Sequence, residues 1–244
     1  PDWSRGLGDV YKRQPFLHWE SLDENNLVWF SATFDLKNSN VVRSSNNEKA
    51  RFIYNVLVSA SELATIKDHP CGRITTKLDF NKDWGLGSSS TLIWSIASIF
   101  EIDPLKLHFH TSNGSGYDIV CAGTNNPITY KLGKHKQPIY QNVDWNPIFK
   151  DEIQFIYLNN KQNSEAEVNR FKHSTIFDKD IFEINQLTDS IIACEDLNEF
   201  ENSINEHENI MGKLLHKTPI KQKLFSNHHP TNKKPMNVCR TSSF

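Results

Sequence analysis

The chain has 244 residues, 37% apolar and 23% charged, a balance that fits a soluble globular protein of one large or two small domains and not a disordered one. A net charge of −2 and a pI near 6.6 leave no basic excess for a nucleic-acid footprint, and no run approaches the roughly 18 apolar residues of a membrane span. No basic start followed by an apolar core and no CxxC pair occurs, so Cys71, Cys121, Cys194 and Cys239 read as scattered reduced thiols of a cytoplasmic protein.

In chain order, residues 1–14 lead into no element. The stretch SRGLGDVYKRQ resembles a translated sequencing adapter and is set aside from the fold, its Gly-Leu-Gly included; a short unstructured N-terminus is the alternative. Residues 16–34 alternate apolar and polar side chains in pieces such as LVWFSATF, which predicts one or two strands. Residues 37–47 are Asn- and Ser-rich, a surface loop or hairpin tip. Phe52, Val56, Ala60 and Leu63 then mark a helical face within 48–67, closed by a turn at His69, Pro70, Cys71 and Gly72. Residues 73–80 (RITTKLDF) read as a strand, and a helix follows from about Ser89 to Phe100. Asp103 and Pro104 suit the N-cap and first turn of another short helix.

Residues 119–132 look like a strand pair around Asn125, Asn126 and Pro127, and 153–158 (IQFIYL) like a buried strand. Asn163 or Ser164 then caps a helix. Two more helices follow: one over 179–194 with Ile181, Ile184, Leu187 and Ile191 on one face, the other over 196–217 with Phe200, Ile204, His207, Met211 and Leu214. Residues 226–244 are polar and without period, a frameshifted or foreign tail, or a flexible one. With no repeat and no regular βαβ alternation, the fold class is α+β.

The sharpest signal is Gly85-Leu86-Gly87-Ser88-Ser89-Ser90-Thr91, set between a strand and a helix whose Leu92, Ile93, Ile96, Ala97 and Phe100 form an apolar stripe. The first turn of a helix leaves backbone N–H groups unpaired at the positive end of its dipole. Glycines let that backbone approach a phosphate, and hydroxyls add donors and a Mg²⁺ ligand. The loop is neither a Walker A motif nor a Rossmann fingerprint; the bland alternative is a turn with an N-cap. A second constellation, Asn113 to Ile119, is a Gly/Ser turn that hands Asp118 to a following strand; its bland alternative is an aspartate bonded to its own backbone. A third, Tyr157 to Ser164, puts Lys161 and Ser164 at a strand-to-helix junction, as phosphate or substrate contacts or as a solvated loop with an N-cap. Trp84, beside the loop, stacks on a base or packs. His108 and His110 share a face if strand-borne, but no further ligand is spaced to complete a metal site.

GLGSSST resembles the second motif of the GHMP small-molecule kinases, and GSGYD resembles the SGxD segment of the mevalonate kinases. Gly116-Tyr117-Asp118-Ile119-Val120 is closer still to the branch of that superfamily named for a GYDIA motif, with valine in the last place. The resemblance runs over about 16–225. It implies a two-domain fold: an ATP-binding part at 15–150 like the second domain of ribosomal protein S5, and an incomplete ferredoxin-like part at 151–225.

The implied activity is transfer of the γ-phosphate of ATP, with Mg²⁺, to a hydroxyl or phosphate of a small metabolite, mevalonate or phosphomevalonate first. Gly85 to Thr91 would wrap the phosphates, and Ser89 or Ser90, with Ser90 preferred, would bind Mg²⁺. Asp118 would take the substrate proton, with Lys161 beside it. Ser115, Gly116, Tyr117 and Ser164 would meet the substrate. No nucleic-acid or membrane partner is implied, and a homodimer is left open. An ATP-dependent diphosphomevalonate decarboxylase and a non-catalytic metabolite-binding relative are the rival readings.

The chain departs from the family in three places. The substrate-side Lys or Arg motif expected before Phe16 and the glycine-rich third motif expected after Phe225 are not seen, so activity of the chain as it stands is open. Leu107 stands where mevalonate kinases carry a Mg²⁺-binding Glu, which weakens that specific activity and leaves phosphoryl transfer as the class.

Overall fold

The structure, a computed structural model, describes residues 16–65, 70–133, 135, 137–158, 170–171 and 173–225. Short sheets and helices are mixed along the chain, as α+β requires. It divides into two compact units between Thr124 and Asn125, whereas the sequence suggested a boundary near 150. Residues 125–143 hold a hairpin that, among the described residues, pairs only with itself and belongs to the second unit.

The first unit opens with β1 (Leu17–Leu22), β2 (Val28–Asp35) and β3 (Asn40–Ser44), followed by α1 (Asn47–Leu63) and β4 (Gly72–Lys77). The sheet order is β3-β2-β1-β4, with β1 antiparallel to β2, β2 antiparallel to β3, and β4 parallel to β1. Strand β3 lies where a loop or hairpin tip was expected. Asp35 makes the difference: its carboxylate accepts hydrogen bonds from the Asn38 backbone N–H (3.0 Å) and side-chain amide (2.8 Å), and Ser39 takes the left-handed conformation that turns the chain back. Those bonds also hold the Asp35 carboxyl below its usual pKa.

Alternate residues of the strands, Leu17, Trp19, Phe30, Ala32 and Phe34, are buried in one cluster with Ala50, Ile53, Val56, Leu57 and Ala60 of α1. Phe52, read as part of that helical face, is 40% exposed; the buried row runs through its neighbour Ile53. Asn46 caps α1 by accepting from Lys49 N–H at 3.0 Å. Three further helices complete the unit: α2 (Ser88–Ile99), α3 (Pro104–Thr111) and α4 (Tyr117–Ala122). Asp103 caps α3 through Leu105 N–H (2.8 Å) with Pro104 in the first turn, as its sequence dictates.

The second unit carries the antiparallel hairpin β5 (Ile128–Leu132) and β6 (Pro138–Asn142), then α5 (Asp178–Ala193), α6 (Leu197–Leu214) and α7 (Ile220–Leu224). The strand pair expected over 119–132 is therefore a helix and one strand, and β6 is its partner. A separate small core gathers Phe149, Cys194 and Phe200, with Trp145 donating its indole N–H to the Ile191 carbonyl at 2.9 Å. The buried strand expected at 153–158 is not formed. An apolar run becomes a strand only where a neighbouring edge takes its N–H and C=O groups, and among the described residues none does. Ile153 packs on the small core, while Phe155 and Tyr157 stay 69% and 48% exposed.

Candidate functional site

Parallel pairing brings β1 and β4 to an end at the same edge, Leu22 opposite Lys77. The chain leaves β4 and makes one 3₁₀ turn (Lys82–Trp84) before the glycines. Asn81 steadies this approach twice: its side chain accepts from Asp83 N–H (3.0 Å) and donates to Glu24 beyond β1 (3.3 Å). Lys82 meets Asp83 at 2.6 Å, and that hydrogen bond, helped by the charges of Asp83, Glu24 and Asp23, raises the lysine pKa. Lys82 is a cation beside the loop that the motif alone does not single out.

Gly85 and Gly87 both take positive φ, 73° and 78°, and Gly87 is the N-cap of α2. A glycine has no side chain to cap with, and none does so here. The Gly87 carbonyl accepts from Ser90 N–H (3.0 Å) and Thr91 N–H (3.1 Å), so Ser88 and Ser89 present the first N–H groups of the helix to the loop side. A methyl at Gly87 would find nothing within 4 Å, so the space beside that residue is open.

The hydroxyl run is not uniform. Thr91 bonds back to the Ser88 carbonyl (3.0 Å), Ser90 is buried, Ser88 is half-buried and Ser89 is exposed. Gly85, Leu86, Gly87, Ser88 and Ser89 thus form the accessible rim, while Ser90 is turned inward. Trp84 is 46% exposed, so part of its ring is covered and part is open to solvent.

Asp118 lies in the first turn of α4, not at the head of a strand. The run Ile119-Val120-Cys121-Ala122 is too short for its period to tell strand from helix. Gly116, at φ 83°, starts the helix, its carbonyl accepting from Ile119 N–H (3.1 Å), and Ile119 and Val120 are buried. A methyl at Gly116 would come within 2.9 Å of Leu105, so both φ and space demand glycine there. Tyr117 is 41% exposed beside the half-buried Asp118, and the Ser115 hydroxyl lies 3.4 Å from the Tyr117 N–H.

Helix α4 packs on both α2 and α3, so the loop and Asp118 belong to one cluster of helices. At Gly123 a methyl would meet the Trp94 ring of α2 at 2.3 Å. Gly123→Ala is therefore expected to cost about 1–3 kcal/mol in urea unfolding, and Trp94→Phe in the same chain to recover part of it.

Lys161 and Ser164 lie outside the described residues. Two further groups lie near Asp118: His108, weighed from sequence only as half of a metal pair, and Cys121, read only as a reduced thiol. Burial pushes the His108 pKa down, against the opposing pull of the Gly114 backbone and the Asp118 carboxylate. Burial pushes the Cys121 thiol up, with the Tyr117 hydroxyl opposing and Asp118 adding, so the thiol stays protonated. His108 and His110 do not share a face in helix α3: His110 pairs with Glu62 of α1 (3.4 Å) while His108 lies under residues 112–116.

Burial likewise lowers His207 of α6, with Glu208 opposing. Both histidines sit below the usual 6.5, so the unfolded chain binds protons first as pH falls. Their contribution is full above 6.5 and is lost as pH drops through it toward the folded values. Thermal midpoints measured from pH 8 to about 5 should fall on the acid side, and His108→Gln and His207→Gln should each flatten the decline.

Among the described residues no helix is long and apolar enough to cross a membrane, and no three His, Cys, Asp or Glu converge to hold a metal ion. A groove of about 560 Å³, lined in part by Lys213, His216, Lys217 and Gln222, lies in the second unit and not in the one that carries the loop. No protein-family model, curated protein or solved structure matches the chain.

Proposed function

We propose that the first unit binds the phosphates of ATP and that the protein is a small-molecule kinase of the GHMP type. The observation that carries this reading is the α2 N-terminus: two left-handed glycines, no side-chain cap, and open space beside Gly87. An anion there would meet the N–H groups of Ser88 and Ser89 and the positive end of the helix dipole. Mg²⁺ would arrive with the nucleotide and neutralise charge between its phosphates; the Ser89 hydroxyl is exposed to reach it, and Ser90 could do so only by turning outward. Asp118 would accept the proton of the acceptor hydroxyl as that oxygen attacks the γ-phosphate. Mevalonate or phosphomevalonate is the first substrate to try, with Ser115, Gly116 and Tyr117 on the acceptor side and Lys161 and Ser164 as further contacts.

Calorimetric titration with MgATP is the direct test. Binding is expected, weakened about tenfold or more by Gly87→Ala, which also forces a left-handed alanine at a cost of about 1–2 kcal/mol. ADP release is then followed with mevalonate, phosphomevalonate, homoserine and galactose. Release of CO₂ from a diphosphorylated acid would move the reading to the decarboxylase, and MgATP binding without turnover on any acceptor to a metabolite-binding relative. Absence of MgATP binding would sink the kinase.

A further inference from the structure

His108 stands on α3 beneath the turn that ends in Asp118. Both of its ring nitrogens are buried and neither makes a well-formed hydrogen bond, the Gly114 backbone being the one group near enough to act on the ring. A neutral imidazole carries one donor and one acceptor, and native folds seldom bury such atoms unmade without a use for them.

The turn rests on this ring. A methyl at Gly114 would lie 3.2 Å from ring atoms Cε1 and Nε2, and one at Gly116 would lie 3.5 Å from Cδ2. At Gly114 a side chain would press on the ring, whereas at Gly116 the ring is in ordinary contact and Leu105 (2.9 Å) and the positive φ are what demand glycine. Phe109 meets the imidazole edge-on with centroids 5.3 Å apart. The chain is also stitched to α3 around it: Ser112 N–H donates to the His108 carbonyl (2.8 Å), and Gly114 N–H to the Ser112 hydroxyl (3.2 Å). The Gly114 backbone comes close enough to the ring to pull on its pKa as a hydrogen-bond partner would, but it completes no well-formed hydrogen bond, so a small shift of the turn would make one.

The charged surroundings are few. Helix α2 has no ionisable side chain, α4 brings Asp118 with Cys121 and Tyr117, and Glu62 of α1 faces His110 instead. On α3 itself, Lys106 and His110 are exposed.

We propose that His108 is the positioning residue for Asp118: a neutral imidazole seats residues 112–116, and its Nε2–H takes the Gly114 carbonyl when the carboxylate is engaged. Protonation would put a cation beside Asp118 and draw the carboxylate toward the ring, away from an incoming acceptor. The value of Asp118 rests on the kinase reading; the seat does not, and it is tested without nucleotide.

The experiment is nitrogen-15 NMR of the imidazoles in the whole chain, without ligand, from pH 8 down to about 5. His108 is expected in a single neutral tautomer that protonates below the ordinary histidine range, moving the backbone amides of 112–118 in the same step. His108→Gln, which keeps a donor near Nε2 and cannot titrate, should remove that step and preserve the turn. His108→Leu, which keeps apolar volume alone, should speed hydrogen exchange at 114–118 by about tenfold or more. Turn amides that ignore the titration of His108 would overturn the proposal. So would a His108→Leu variant whose exchange matches the parent; if that variant does not fold, the parent titration and His108→Gln decide. MgATP added afterwards reads residues 87–91 separately, so loss of the kinase reading and loss of the seat are distinct results.

Discussion

Asp118→Asn is expected to slow phosphoryl transfer by about 10²–10⁴-fold while MgATP affinity stays within about twofold. The substitution is nearly isosteric and removes only the charge and the proton-accepting oxygen. Asp118 sits in the first turn of α4, where a carboxylate also favours the helix dipole. Its loss there should therefore cost at most about 1 kcal/mol of stability. In the proposed site the nucleotide would be held elsewhere, at the α2 N-terminus, so binding and turnover should separate. ADP release under saturating acceptor, with calorimetry on the same preparation, measures both. A variant that turns over at the parent rate would remove Asp118 from the chemistry; one that also fails to bind MgATP would mean that α4 shapes the phosphate loop through α2.

What was legible in the sequence follows from where local rules agree with the fold. Helices α1, α5 and α6 carry a long apolar period, and Asp103 with Pro104 marks the start of α3 without help from anything distant. Strands β1 and β2 alternate cleanly because one face of their sheet is buried.

The rest failed where the deciding partner is remote or the segment is short. Strand β3 is the five-residue run NVVRS, made a strand by the Asp35–Asn38 turn that aims it at β2. Helix α4 is six residues between two glycines, and its burial against α2 and α3 settles what its period could not. The run at 153–158 has strand composition but no edge to pair with among the described residues. At the candidate site the glycine loop and Asp118 stand out by residue type and spacing. His108 does not, because its burial depends on the close approach of Gly114 and Gly116, which no periodicity records. Nor does the inward turn of Ser90, since four consecutive hydroxyl residues look alike until the helix assigns each a face.

Phe34→Ala should be the most damaging single truncation of the first unit, costing about 3–5 kcal/mol. Phe34 is fully buried on β2, opposite Leu17 of β1 and Val41 of β3, with its ring 6.4 Å from that of Tyr54 on α1. Alanine would empty the seam between sheet and helix, and a backbone paired on both sides cannot close over the gap. A typical domain is stable by about 5–15 kcal/mol, so the loss is a large share of what the unit has. Phe155→Ala is the contrast: the same chemical change at a side chain 69% exposed should stay within about 0.5 kcal/mol. Because the two units have separate cores, one midpoint for the whole chain would blur the effect. The indole signals of Trp19 and Trp145, followed by NMR through a urea titration, report the two cores one at a time. Phe34→Ala is expected to lower the Trp19 midpoint and leave that of Trp145 in place. Since Leu22 and Lys77 end the strands that lead to the glycine loop, MgATP binding should disappear along the Trp19 transition and not along the other.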